Sequence, residues 1–167
     1  MAQYQHIKHT FEPVYDENSK ILILGSLPSV KSREQGFYYG HPQNRFWKVT
    51  SNVFCAPEPN TVEEKRAFLL SHGIAVWDVI ASCDIEGSSD SSIKNVVPND
   101  LSKILDAADI RTIFVNGKTA EKFYNKYIKV SIGREAVCLP STSPANAAWS
   151  LERLTEAWQV IKKASFA

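Results

Sequence analysis

The sequence predicts an α/β fold: a three-layer α/β/α sandwich with a short, mainly parallel central sheet, built as one domain over residues 1–167. Three observations carry this. Ile21-Leu22-Ile23-Leu24 is an unbroken aliphatic run, which suits a strand covered on both faces, and such strands belong to parallel sheets with helices above and below. Further apolar stretches at 73–80, 111–116 and 136–139 alternate with segments of helical spacing, the order that winds strands and helices into layers. Finally, Gly25, Gly117 and Pro140 stand just past strand ends, where the chain must turn.

Taken in order, the residues before Lys20 read as irregular, with Phe11 and Tyr15 tucked against the domain and Pro13 opposing regular structure. The first strand runs from Lys20 to Leu24. A long loop follows, turned by Gly25 and Pro28 and reaching to Asn44, and loops of that length tend to be functional. Phe46, Trp47, Val49, Val53 and Phe54 recur at helical spacing until Pro57 and Pro59 end the pattern. Thr61-x-x-Glu64 is a capping box for the next helix, which Gly73 ends. Gly73–Ile80 reads as a second strand with Asp78 inside it, followed by a polar loop from Ser82 to Asn95. Asn99 or Asp100 caps a helix through Leu101, Ile104 and Leu105. Arg111–Asn116 is the third strand, and Gly117 opens a helix bearing Ala120, Phe123, Tyr124 and Tyr127. The fourth strand, Ala136–Leu139, enters Pro140–Asn146. The last helix, Leu151–Ile161, buries Leu151, Leu154, Trp158 and Ile161 on one face.

Composition excludes several function classes. No apolar run reaches the roughly 20 residues that cross a bilayer, and the polar start, Met1 to Thr10, has no signal core. Cys55, Cys83 and Cys138 are widely spaced, which opposes a disulfide framework, a zinc knuckle or an iron–sulfur site. A reduced, cytoplasmic setting is expected, with no metal, no cofactor and no membrane. A net charge of +1 means that any polyanion must be held locally, by a few cations and backbone amides.

Three loops follow parallel strands and therefore meet at one sheet edge, where ligands bind. Gly25-Ser26-Leu27-Pro28-Ser29 is either a plain turn or a nest of amides and hydroxyls for an anion. Ser26 lacks the Gly-x-Ser-x-Gly elbow of a serine hydrolase. Tyr38 and Tyr39 are either packing or a stacking platform for a base. Asn44 is either a helix cap or a residue that positions water or base. Asp78 in a buried strand needs partners, either loop amides or a ligand N–H. Gly117-Lys118-Thr119 ends like a phosphate-binding loop, but Thr112 stands where that loop needs glycine, which excludes triphosphate hydrolysis. Pro140–Asn146, with Ser141, Thr142 and Ser143 between prolines, suits a phosphate backbone or is a plain connection.

His41-Pro42-Gln43-Asn44-Arg45-Phe46-Trp47-Lys48-Val49, with Tyr39 two positions earlier, resembles a segment of the mismatch-specific uracil-DNA glycosylases. Gly25–Ser29 stands in place of that superfamily's first motif, and Leu139–Asn146 in place of its DNA-penetrating loop. Leu27 replaces the Asn or Asp of that first motif, and Ser141 the His of the uracil-specific members. With Gly-Ile-Ala-x-Trp-Asp at Gly73–Asp78, the pattern is most similar to the hypoxanthine-DNA glycosylase branch.

The resemblance implies a monofunctional enzyme, probing DNA as a monomer, that flips out a deaminated base and hydrolyses its N-glycosidic bond. It implies Asn44 and Asp78 as catalytic residues, and Ser26, Leu27, Tyr39 and Asp78 around the base. It implies DNA contacts from Ser29, Lys31, Arg45, Ser141, Thr142, Ser143, Pro144, Ala145 and Asn146, with Arg33 and Lys48 adding local charge. The alternatives are the same fold acting on uracil or xanthine, or an inactive nucleic-acid-binding relative.

Overall fold

In a computed structural model describing residues 3–166, Ile21–Gly25 (β2) is buried along its whole length. Successive side chains of a strand point to opposite faces, so both faces of β2 are covered, as the aliphatic run requires. Its neighbours are Ile74–Asp78 (β3) on one side and Thr112–Asn116 (β6) on the other, with Val137–Leu139 (β7) beyond β6. All three pairings are parallel. The chain lays β3 against one side of β2 and then crosses to add β6 on the other. That reversal leaves a crevice at the carboxyl ends of β2 and β6.

Helices flank this sheet. Val30–Gln35 (α1) lies inside the stretch read as a long loop, and a terminal Gly36 at φ 69° stops it. A polar six-residue helix that buries only Ser32 carries too little periodicity to be legible in sequence. Phe46–Val53 (α2) and Val62–Ser71 (α3) follow, the second opened by the expected capping box of Thr61 and Glu64. Ser102–Leu105 (α4) is a single turn, started by Asp100 Oδ1 accepting the Ser102 amide at 3.0 Å. Lys118–Phe123 (α5) passes through a π-helical turn at Tyr124–Ile128 into Lys129–Ile132 (α6). The last helix is two, Leu151–Ala157 (α7) and Gln159–Ser165 (α8), divided at Trp158. Trp158 is fully buried, with its indole N–H donated to the Pro140 carbonyl at 2.9 Å.

A second sheet departs from the sequence reading. Tyr4–Lys8 (β1), Ile80–Glu86 (β4) and Lys94–Pro98 (β5) form an antiparallel sheet in the order β1-β4-β5. The N-terminal stretch is therefore not irregular, and 82–95 is not a plain loop. Both edge strands are mostly exposed, and a sheet with a wet face carries little apolar signal. The stretch Gly73–Ile80 is also not one strand. At Val79 the chain leaves the parallel sheet for the antiparallel one, held by Val79 N–H to Gly25 O (2.8 Å) and Ile80 N–H to Ser26 O (3.1 Å). Asp78 thus stands at the carboxyl end of β3, in register with Gly25. Val14 pairs with Val76 in both directions and covers the free edge of β3. Phe11 and Tyr15 pack on the core as expected, and buried residues from Val14 to Ile161 form one apolar cluster.

Candidate active site

The carboxyl ends of β2 and β3 bring Gly25 and Asp78 side by side. The Asp78 side chain is 4% exposed, and its Oδ2 accepts a hydrogen bond from His9 Nε2 at 2.8 Å. His9 is equally buried and packs on the Phe11 ring at 4.5 Å. A carboxylate oxygen accepts here, so the ring proton sits on Nε2. The Asp78 carbonyl accepts from Asn99 Nδ2 at 2.8 Å, which ties the strand end to the start of α4. A Cβ on Gly25 would collide with Asp78 Oδ1 and lie 3.2 Å from the Tyr39 hydroxyl. Glycine is needed there because two polar side chains converge over its Cα.

Tyr39 reaches that point from a strained backbone, φ 52°. Its ring stacks on Phe46 with centroids 4.0 Å apart and planes 15° apart, and Trp47 Nε1 donates to its carbonyl at 3.2 Å. The hydroxyl is buried without a partner among the described residues. Burial first, and the Asp78 charge second, hold it protonated well above the ordinary tyrosine range. Tyr38 faces the other way. It is a core residue, its hydroxyl donated to the Glu12 carbonyl at 2.9 Å, and so is no stacking platform.

Asn44 sits two residues before α2, where its Oδ1 accepts the Phe46 amide at 2.9 Å. The N-cap position itself is Arg45, so Asn44 makes a local turn bond just ahead of the helix rather than the cap, and this leaves its amide NH₂ and a second oxygen lone pair for other partners. Ser29 is the N-cap of α1, accepting the Ser32 amide at 3.1 Å. Lys31, on the exposed side of α1, lies 3.6 Å from Glu34. Ser26 and Leu27 are half-buried.

The loop after β7 is built from its own polar groups. Thr142 is fully buried, its amide donated to Asn116 Oδ1 (3.1 Å) and its hydroxyl accepting from Asn116 Nδ2 (3.0 Å). Ser141 Oγ accepts the Ser143 amide and Ser143 Oγ the Ala145 amide, each at 3.1 Å. Asn146 Nδ2 donates to the Ser141 carbonyl at 2.9 Å. The Arg45 guanidinium closes the loop from outside, donating to the carbonyls of Trp149, Ser143 (3.4 Å) and Asn146 (3.0 Å). What the loop presents outward is Pro144, Ala145, Ala147 and Ala148, all exposed.

The family model of the uracil DNA glycosylase superfamily matches residues 12–163. The chain belongs to that superfamily. A hypoxanthine DNA glycosylase of Methanosarcina acetivorans is 38% identical over 157 residues, covering 93% of this chain and 98% of the relative. One of Methanosarcina barkeri is 36% identical over 141 residues, covering 83% and 88%. A solution NMR structure from Methanosarcina acetivorans, described as that of a candidate uracil DNA glycosylase, superposes with a TM-score of 0.78. It is 36% identical and covers 92% of this chain and 96% of its own.

Against this superfamily fold, the sequence-expected residues divide. Tyr39, Asp78 and Gly25 come together at one strand edge. Arg45, Thr142, Ser143 and Asn146 come together in the loop, each with a side-chain bond inside the protein, while the Ser143 hydroxyl only accepts and keeps its proton for a further acceptor. Two residues escaped the sequence reading. His9 stands in a polar stretch with no periodicity, and only its pairing across 69 positions reveals it. Asn116 stands at a strand end before a glycine, a position that could have drawn attention. An open groove lined by Asn52, Leu151, Glu152, Thr155, Glu156 and Gln159 lies between α2 and α7–α8. Its two carboxylates repel a phosphate backbone. Among the described residues no cluster of three metal-ligating side chains occurs, and no helix is long and apolar enough to cross a membrane.

Proposed function

We propose that this superfamily member is a monofunctional DNA glycosylase that removes a deaminated base, with hypoxanthine preferred, and leaves an abasic site. The observation that carries this reading is the meeting of Asp78 and the Tyr39 hydroxyl over the bare Cα of Gly25. The names of the Methanosarcina relatives support the same substrate class.

The chemistry is a hydrolysis. The C1′–N9 bond breaks with its electron pair going to the base, which departs as an anion and takes up a proton. Water oxygen bonds to C1′ and gives up a proton. No nucleophilic side chain is required, so the protein's task is to hold the flipped nucleotide, the water and the developing charge. Asn44, its rotor fixed by the Phe46 amide, positions the water with its remaining donors and lone pair. The amides of Ser26 and Leu27 face charge developing on the base. Asp78 accepts the N1–H of hypoxanthine, while adenine would turn an N1 lone pair toward the same carboxylate and be repelled. The apolar tip Pro144–Ala145 enters the space that the flipped nucleotide vacates. Ser29 and Lys31 at α1, and backbone groups of Ser141–Asn146, approach the phosphates.

The test is a set of duplexes carrying one hypoxanthine, uracil or xanthine, read as strand scission after alkali. Scission fastest at hypoxanthine supports the reading. Scission fastest at uracil favours the alternative that the NMR relative's description raises. No scission on any duplex removes the glycosylase altogether. Asp78→Asn keeps a partner for His9 but should lower the preference for hypoxanthine over adenine. An unchanged profile would take Asp78 out of base reading.

A further inference from the structure

The Tyr39 hydroxyl is buried and makes no hydrogen bond among the described residues. A ring that only stacks, on Phe46 or on a base, needs no oxygen. Phenylalanine would fill the place without the cost of burying a hydroxyl that lacks a partner. The surrounding groups do not rescue it. The Asn116 carboxamide lies close enough to draw the hydroxyl's pKa down, but it does not meet hydrogen-bond geometry with the Tyr39 oxygen and is held at both ends by Thr142. Asp78 Oδ2 is taken by His9, and no hydrogen bond joins Asp78 to Tyr39 among the described residues. The backbone is strained to bring the oxygen here, at φ 52°, and strain of this kind gathers at sites of function.

Two oxygens thus flank the Gly25 Cα, one an acceptor on Asp78 and one a donor on Tyr39. We propose that they read a lactam edge together: Asp78 accepts the base N–H while the Tyr39 hydroxyl donates to the adjacent carbonyl oxygen. This rests on the glycosylase reading and deepens it. In hypoxanthine the pair is N1–H and O6. Xanthine and uracil carry the same N–H beside C=O, whereas adenine and cytosine present a ring lone pair beside an amino group, the reverse polarity. One donor and one acceptor therefore reject adenine and cytosine, the parents of hypoxanthine and uracil, while guanine and thymine share the lactam edge and are excluded by other contacts. The carbonyl oxygen also takes up negative charge as the glycosidic bond breaks, so the hydroxyl bond strengthens in the transition state. Burial keeps the hydroxyl protonated and able to donate. It is shielded from water in the free protein, so no solvent molecule competes for it.

Tyr39→Phe isolates the oxygen, because the ring and its contact with Phe46 stay. Single-turnover release from a hypoxanthine duplex should fall about 100-fold, selectivity against adenine should fall with it, and the melting temperature should hold or rise. Wild-type rate and selectivity in Tyr39→Phe would overturn the proposal and leave the ring as the functional part. A lowered melting temperature would also overturn it, since the hydroxyl would then have a partner inside the protein. Failure of the glycosylase reading looks different: the unsubstituted protein itself would release no base from any duplex.

Discussion

The loop after β7 and the turn after β2 sit in one superfamily fold and treat their polar groups in opposite ways. In Pro140–Asn146 the hydroxyls of Ser141, Thr142 and Ser143 and the amide of Asn146 accept or donate internally, and Arg45 holds the loop's carbonyls from outside. At the turn, Tyr39 keeps a buried hydroxyl unpartnered on a strained backbone. On the proposed reading, the first region holds an apolar tip for entry into DNA, and the second keeps hydrogen bonding for a ligand to complete. A polar residue count cannot tell these apart, since both loops are rich in Ser, Asn or Tyr.

Four substitutions break or sharpen that contrast. His9→Ala takes the donor from a buried carboxylate and should lower stability by about 3–5 kcal/mol, measured by urea unfolding. His9→Gln, which can still donate, should recover much of it, and equal loss in both would mean that packing on Phe11 matters more than the bond. Next comes Asn44→Asp. It keeps an oxygen for the Phe46 amide, so unfolding should change by less than about 0.5 kcal/mol, while base release should fall about 100-fold. Full release would remove the Asn44 NH₂ from the mechanism.

Arg45→Ala should destabilise by about 2 kcal/mol, the scale of charge-assisted bonds to carbonyls. It should also weaken DNA binding by loosening the tip. Arg45→Lys, a single point charge, should restore only part. Weakened binding with unchanged stability would instead make Arg45 a direct phosphate contact. The smallest effect is expected for Ala145→Glu on the exposed tip. Stability should be unchanged, and DNA affinity should drop by about 1 kcal/mol at low salt and less as salt rises. Unaltered affinity would place the tip away from DNA.

Much of the site was legible because it lies on strong local patterns. The aliphatic run before Gly25 and the helical spacing after Asn44 placed both ends of the first loop, and Asp78 stood out as a charge in an apolar stretch. The local bond of Asn44 at the start of α2 was legible because it joins near neighbours, although the cap position itself fell to Arg45. His9 was not legible. Its partner lies across two sheets, and one face of β1 is wet, so no period marks it. The phosphate roles expected for Ser141, Thr142, Ser143 and Arg45 could not foresee the internal partners, which come from β6, α2 and the loop's own return.

The sequence by itself determined the parallel core, the capped helices and the identity of the chemistry-bearing loops, because burial pattern, capping and turn formation are settled within a few residues of chain. Only the tertiary structure decided which polar groups remain available. Hydrogen bonds between distant segments consume donors and acceptors irrespective of sequence spacing, and they engaged Thr142 and Arg45 while leaving the Tyr39 hydroxyl over Gly25 without a hydrogen bond among the described residues.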